Sequence, residues 1–269
     1  MKIWKGTSTL DGLVDDLEFA SEKSEAEILL IGGKAIDLDE FPKLKGIFKT
    51  GVGTDNLPFD AAAERGVEIG LPLDKARDVI FTETADFACY LILQCLYRQI
   101  GDFASWKKHS RESLGSRNVL VIGTGNIGNK VCQKMKAFCE VSTFDALKND
   151  ESELEALVKA ADCISLHIPL TDRTRDFFDA ERLGWMKEGA AIVNTARGGV
   201  ISEPALLSEL ETGRIFAAID VFWKEPYSGK LTELSSDKVI LTPHVASTCR
   251  QFLTETANDL RTFIDKLSG

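Results

Sequence analysis

The sequence has no C-x-x-C pair, no long apolar run, no block of basic residues, and only three histidines among 269 residues. Each shortage excludes something. The six cysteines (Cys89, Cys95, Cys132, Cys139, Cys163, Cys249) are scattered. Most sit on apolar faces, where cysteine acts as a small hydrophobe. Neither a disulfide framework nor a zinc site is expected, and a reducing cytoplasm fits. The most apolar run, Ala88–Tyr97, is broken by Gln94 and too short to span a bilayer. Met1-Lys-Ile-Trp-Lys-Gly6 leads into polar sequence rather than a signal's apolar region. The net charge of −10 argues against a nucleic-acid or anionic-membrane partner. It does not exclude a small acid substrate, because one local arginine can outweigh the global field.

What is present is organised around Asn118-Val-Leu-Val-Ile-Gly-Thr-Gly-Asn-Ile-Gly128. Val119–Ile122 is apolar and β-branched, so it reads as a buried strand. Gly123, Gly125 and Gly128 follow as G-x-G-x-x-G, and Val131, Met135 and Phe138 recur at helical spacing. A second β-rich run, Val141–Phe144, ends on Asp145. The first glycine of such a turn permits the bend, the second lets the backbone approach a pyrophosphate, and the third lets helix pack on strand. The helix start offers free N–H groups to phosphates. Asp145 suits ribose hydroxyls and would repel a 2′-phosphate, so NAD is expected in preference to NADP.

The rest of the chain keeps an α/β rhythm, which implies parallel sheets with helices on their faces. In the first third, Ile3-Trp4, Glu27–Ile31, Gly46–Lys49 and Val67–Ile69 read as strands. Leu10–Phe19 and Phe59–Arg65 read as helices, and Leu71–Ile80 as a loop. A long helix is expected from about Thr82 to Arg98, with the domain boundary near Arg98, followed by a polar connection over Gly101–Ser116. Beyond the glycine turn, strands are expected at Cys163–Leu166, Ala190–Val193, Phe216–Ile219 and Val239–Leu241. Helices are expected at Leu154–Ala160, Asp179–Met186, Glu203–Leu210 and Gln251–Leu267.

In open α/β sheets, ligands bind beyond the carboxyl ends of the strands. Those ends carry Gly123, Asp145, His167, Thr195 with Arg197, Asp220 and His244. His109 lies in solvated Trp-Lys-Lys-His-Ser-Arg and is not a catalytic candidate. His167 reads as a turn residue beside a cofactor rather than an acid/base group. His244 is the acid/base candidate. Arg197 has a planar fork suited to a carboxylate with a neighbouring carbonyl oxygen. Glu225, if it contacts His244, favours the imidazolium.

These stretches resemble the D-isomer-specific 2-hydroxyacid dehydrogenases, a family that includes phosphoglycerate dehydrogenase, glyoxylate/hydroxypyruvate reductase and D-lactate dehydrogenase. The matching text is Gly51-Val-Gly-Thr-Asp-Asn56, Gly123-Thr-Gly-Asn-Ile-Gly128, Leu166-His-Ile-Pro-Leu-Thr171, Asn194-Thr-Ala-Arg-Gly-Gly199, Ile219-Asp-Val-Phe222 through Glu225-Pro226, and Thr242-Pro-His-Val-Ala-Ser247. The resemblance implies two Rossmann-like or flavodoxin-like domains with parallel sheets and a cleft that closes to exclude water. It implies a discontinuous substrate domain, 1–98 plus 246–269, and an NAD-binding domain, 99–245. It implies that Arg197 holds the substrate carboxylate, that His244 exchanges the proton, and that Glu225 orients His244. Hydride would pass between nicotinamide C4 and substrate C2. Val52 and Gly53 would add backbone amides to the carboxylate. Cofactor contacts are implied for Gly123, Gly125, Asn126, Ile127, Gly128, Asp145, His167, Pro169, Thr174, Thr195, Ala196, Asp220 and Ala246. A homodimer is implied as well.

The chain departs from the family pattern in several places. It is short, with only Ala146–Ser152 after Asp145, and no regulatory domain is expected after the last helix. Gly32-Gly33 stands where phosphoglycerate dehydrogenases tend to carry an arginine, and Lys49 is the candidate to replace part of a phosphate site. The loop Gly51–Asn56 has no lysine, which argues against phosphite chemistry. The competing reading is a nucleotide-sensing partner protein of the same fold, corepressor-like, that binds NADH without turnover.

Overall fold

The structure, a computed structural model, describes residues 1–269. The chain divides into two compact units, Met1–Ile80 with Thr248–Gly269, and Phe81–Ser247. The sequence placed the divisions at 98 and 245; the first falls inside a helix, at Ile80, and the second after Ser247.

In the first unit, strands β1 (Ile3–Lys5), β2 (Ile28–Ile31), β3 (Gly46–Lys49) and β4 (Glu68–Gly70) lie parallel in the order β1-β2-β3-β4. β2 and β3 are buried along their whole length, which is why β2 reads as an unbroken apolar run and β3 as one up to Lys49. One face packs Ile28, Leu30 and Phe48 on Ala257, Leu260 and Phe263 of the C-terminal helix, Arg250–Ser268. The other packs Leu29, Ile31 and Ile47 on Leu38, Phe41 and Ala62, the last from helix α1 (Phe59–Glu64).

Two local expectations fail here. Leu10–Phe19 is not a helix but a run of turns, with Leu13 and Leu17 N–H groups donating three residues back to Leu10 and Val14. Gly12 sits at φ +78° and gives its N–H to the Asp15 carboxylate, so no continuous ladder forms. Leu10 and Val14 are nevertheless fully buried, so helical spacing recorded burial and not a helix. Leu71–Ile80 is not a loop beyond Leu73: helix α2 runs from Asp74 to Leu96. Ala76 and Ile80 are buried, while Asp74 and Arg77 pair on the exposed side. The charges that suggested a loop are one solvated face of a helix.

By length and composition α2 could cross a membrane, yet 44% of its apolar window is buried. Within the second unit its Ala85, Ala88, Leu91, Ile92 and Cys95 pack on sheet residues Val119, Val121, Val193 and Ala218. That contact accounts for its apolar character.

The second unit begins with this part of α2 and a small antiparallel hairpin, β5 (Gly101–Asp102) and β6 (Lys107–Lys108), inside the stretch expected to be a plain polar connection. Six parallel strands follow: β7 (Asn118–Ile122), β8 (Glu140–Phe144), β9 (Cys163–Leu166), β10 (Ala191–Asn194), β11 (Phe216–Ile219) and β12 (Val239–Leu241). Their order is β12-β11-β10-β9-β7-β8. Val119 and Val121 face α2 and helix α3 (Asn126–Met135); Leu120 and Ile122 face the opposite side. There they meet α4 (Leu154–Ala160), α5 (Ala180–Gly184) and α6 (Glu203–Thr212) through Leu154, Val158, Leu183, Leu206 and Leu210. Five of the six cysteines are buried in this unit, and burial pushes the Cys89 thiol up to about 12.

The last helix is integral to the first core. The Phe48 and Phe263 rings are 5.6 Å apart, and Arg261 donates to the Leu13 carbonyl at 3.0 Å. Phe263→Ala should cost about 3–5 kcal/mol, read as a lowered urea midpoint. An unchanged midpoint would show that the helix does not contribute to this core.

Candidate active site

The strand order reverses direction at β7, which has β8 on one side and β9 on the other. A crevice therefore opens beyond the tips of β7 and β9, the expected place for a ligand. The glycine turn leaves β7 at this point. A Cβ on Gly128 would lie 1.9 Å from the Gly123 carbonyl oxygen, so only glycine lets α3 begin so close to the strand. A Cβ on Gly125 would meet no heavy atom within 4 Å. The turn is packed tightly against the sheet on one side and open at Gly125. α3 is ten residues long, and Asn126 and Ile127 stand in its first turn.

Asp145 ends the strand run of β8, and its carboxylate ties back to the turn. Oδ2 accepts from the Thr124 N–H at 3.0 Å and the Thr124 hydroxyl at 2.6 Å, and Oδ1 accepts from the Leu147 N–H at 3.1 Å. The Thr124 bonds pull this carboxyl down to about 2. Lys148 Nζ lies 3.7 Å away and also donates to the Thr124 hydroxyl at 2.6 Å. The sequence reading missed Thr124 and Lys148.

His167 follows β9. Its Nε2 is 2.8 Å from the Ser165 hydroxyl, and burial pushes the ring down to about 4, so it is neutral near pH 7. In the next turn the Thr174 hydroxyl donates to the Pro169 carbonyl at 2.6 Å. β10 ends on Asn194, whose amide folds the following turn. It accepts from the Ala196 N–H at 3.0 Å and donates to the Arg197 carbonyl at 2.9 Å. Thr195 Oγ1 is buried with no hydrogen-bond partner within the chain. An orphaned donor at a strand tip, a neutral imidazole, an open glycine and a ribose-ready carboxylate fit a dinucleotide.

Asp220 closes β11 and is fully buried. Oδ1 accepts from the Thr242 hydroxyl at 2.6 Å and the Val245 N–H at 2.9 Å, and Oδ2 from the Ala246 N–H at 3.0 Å. Three bonds brace the turn on either side of His244, which sits at φ +54°. A left-handed histidine persists where the surroundings over-determine it. Thr242, given no role of its own by the sequence, is part of that brace. His244 Nδ1 lies 2.8 Å from Glu225 Oε2, and the Phe222 N–H donates to Glu225 Oε1 at 3.1 Å. Burial alone would raise the Glu225 carboxyl. The bond and charge of His244, the Phe222 N–H and the charge of Arg197 overcome it and hold the group below the usual carboxylate range. His109 is exposed and follows directly on β6 of the hairpin.

The structure thus brings Arg197, Glu225 and His244 into one electrostatic neighbourhood within the second unit. Val52 and Gly53 lie in the first unit, in the turn after β3. A parallel sheet with a glycine turn at its point of reversal and an acid at the neighbouring strand tip defines the dinucleotide-binding domain of an oxidoreductase.

Comparison with known proteins narrows the class. The profile of the D-isomer specific 2-hydroxyacid dehydrogenase NAD binding domain matches residues 95–246. A hydroxypyruvate reductase of Thermotoga maritima is 36% identical over 222 residues, 76% of this chain and 71% of that protein. A D-3-phosphoglycerate dehydrogenase of Methanocaldococcus jannaschii is 33% identical over 84% of this chain, which spans only 47% of that protein. The D-lactate dehydrogenase of Aquifex aeolicus, solved with NAD and lactic acid, shares the fold at a TM-score of 0.82 and 24% identity, over 100% of this chain and 95% of that one. The chain belongs to the D-isomer-specific 2-hydroxyacid dehydrogenases, NAD-dependent oxidoreductases of the CH–OH group.

The low position of Asp145 has a consequence for stability. A depressed carboxyl stabilises the fold above its ordinary value of 3.8 and loses that contribution as pH falls toward about 2. Asp145→Asn should therefore be less stable than wild type at pH 7 and lose less between about pH 4 and about pH 2. Parallel acid-unfolding curves would overturn this.

Proposed function

We propose that this dehydrogenase reduces a small, unphosphorylated 2-oxoacid with NADH, with glyoxylate and hydroxypyruvate as the first candidates. The observation that carries the reading is the 2.8 Å contact of His244 Nδ1 with Glu225 Oε2, in the unit that holds the glycine turn. With Nδ1 committed to Glu225, Nε2 is the nitrogen left for substrate. Arg197 grips the carboxylate in a planar fork and polarises the adjacent keto oxygen. NADH supplies the hydride to C2. The imidazolium of His244 gives its Nε2 proton to the keto oxygen, and the hydroxyacid forms. The side chain is 43% exposed, so solvent can return the proton. In the oxidative direction neutral His244 takes the proton back.

Val52 and Gly53 are assigned to the carboxylate through the Gly51–Asn56 resemblance. An unphosphorylated substrate is supported by Lys49, which is buried and donates to the Gly32 carbonyl at 2.8 Å and to Asn56 Oδ1 at 2.6 Å. The two relatives named above as hydroxypyruvate reductase and phosphoglycerate dehydrogenase bracket the choice. Preference for NAD over NADP rests on the Asp145 carboxylate, whose field Lys148 offsets in part. Asp220 is assigned to the nicotinamide side, though its three bonds within the chain make it first a brace for the His244 turn. A homodimer is supported by the hairpin, which exposes a Phe103–Trp106 pair at 86% and 74%. A cytoplasmic location agrees with the unpaired cysteines. The corepressor-like reading draws no support from the family match.

The decisive assay is NADH oxidation at 340 nm against a panel of 2-oxoacids of differing size and charge. Turnover should be abolished by His244→Ala, and Arg197→Ala should raise KM by at least about tenfold while NADH still binds. Equal loss of NADH affinity would remove Arg197 from the substrate site. Asp145→Ala should narrow the ratio of NADH to NADPH use; an unchanged ratio means another residue reads the ribose. Sedimentation should give twice the mass of one chain, and a single-chain mass would refute the dimer.

A further inference from the structure

We infer that Tyr227, anchored on Glu203, is a positioning residue that holds Glu225 against His244. This rests on the reading of His244 and Glu225 as the acid/base pair.

Glu225 stands in an exposed bend, and its own bonds do not fix that bend. One reaches the Phe222 N–H within the same bend, and the other reaches His244. The side chain is 37% exposed, so water competes for both. The bend is fixed at its flanks. The Trp223 Nε1–H donates to the Ile201 carbonyl at 2.7 Å. The Tyr227 hydroxyl donates to Glu203 Oε1 at 2.6 Å and accepts from the Leu231 N–H at 3.3 Å. The Tyr227 ring stacks on Phe222 at 4.6 Å and 19°. Both anchors, Ile201 and Glu203, lie just after Arg197 in sequence. The backbones also touch directly: a Cβ on Gly198 would lie 2.1 Å from the Phe222 carbonyl carbon. The bend that carries Glu225 is thus fastened to the segment that carries Arg197.

The chemistry suits a permanent latch. An ionised Glu203 can only accept, so the phenol is the donor. Burial and then the Glu203 bond push the Tyr227 hydroxyl up to about 12, and it stays protonated through the working range. Charge near the pair comes from Arg197, which acts on Glu225, and from Asp220, which bonds the Val245 N–H beside His244. Glu225 alone bonds the ring, so its placement sets which nitrogen keeps the proton in the neutral form. The proton belongs on Nδ1 if Nε2 is to accept one from a hydroxyacid.

The test is 15N NMR of the His244 ring in the full chain, with its signals assigned by their loss in His244→Ala. Wild type should show mainly the Nδ1–H form when neutral. Tyr227→Phe and Glu203→Ala should shift the ratio toward Nε2–H and lower kcat roughly three- to tenfold, with NADH affinity unchanged. Glu203→Gln keeps an acceptor oxygen and should retain the wild-type ratio. Wild-type ratios in both Tyr227→Phe and Glu203→Ala would overturn the latch, as would a wild type without the Nδ1–H preference. A fall in melting temperature alone, with the ratio unmoved, would leave Tyr227 a merely structural residue and overturn the proposal too. Lack of 2-oxoacid turnover in wild type counts against the reductase reading, and the tautomer ratio still decides the latch.

Discussion

Burial of a parallel sheet on both faces is the constraint from which the second unit follows. β9, β10 and β11 have every residue buried, so their interiors admit almost nothing but apolar side chains. Polar chemistry is forced to the strand ends. All six strands of the large sheet are parallel, so one set of ends lies along one rim, and the titratable groups collect there. The reversal of strand order at β7 then opens a gap in that rim. Catalytic geometry is in this sense a by-product of packing.

The rim is held in shape by polar side chains that close its turns, Asn194 and Asp220 buried and Asp145 partly so. Asn194 folds the Arg197 turn through its amide, Asp220 braces the His244 turn through three bonds, and Asp145 clasps the glycine turn through Thr124. Each is an acceptor at the last position of a strand or directly after it, where N–H groups of the next turn have no ladder partner. A positive φ at His244 is tolerable because its neighbours on both sides are fixed. The same residues that look like ligand contacts in the sequence are first the supports of their own loops.

Charge is used locally and against the global field. The chain carries −10, yet the Glu225 carboxyl is held down by its local neighbours, chiefly the bond and charge of His244 and least by the charge of Arg197. Water-exposed ion pairs elsewhere, such as Lys159 with Glu155, contribute little by comparison. Lys49 shows another use: a buried cation that donates to a carbonyl and an amide oxygen and so helps organise the Gly51–Asn56 turn.

Sequence by itself determined the strand positions, the glycine turn, the rim residues and the family, because hydrophobic period and glycine placement are local signals. Gly46–Lys49, Cys163–Leu166, Phe216–Ile219 and Val239–Leu241 fall as the apolar runs require. Local signals failed where burial and backbone form part company. Leu10 and Val14 are buried at helical spacing on a chain of turns, and Asp74–Ile80 is helical despite its charges. Tertiary structure alone decided the strand order, the brace from Asp220 and the Tyr227–Glu203 latch, and it supplied the 2.8 Å contact between Glu225 and His244 that the family resemblance implied. These join residues separated by 19 to 26 positions, and no local pattern encodes such contacts. They arise only when the folded sheet sets the loop tips side by side.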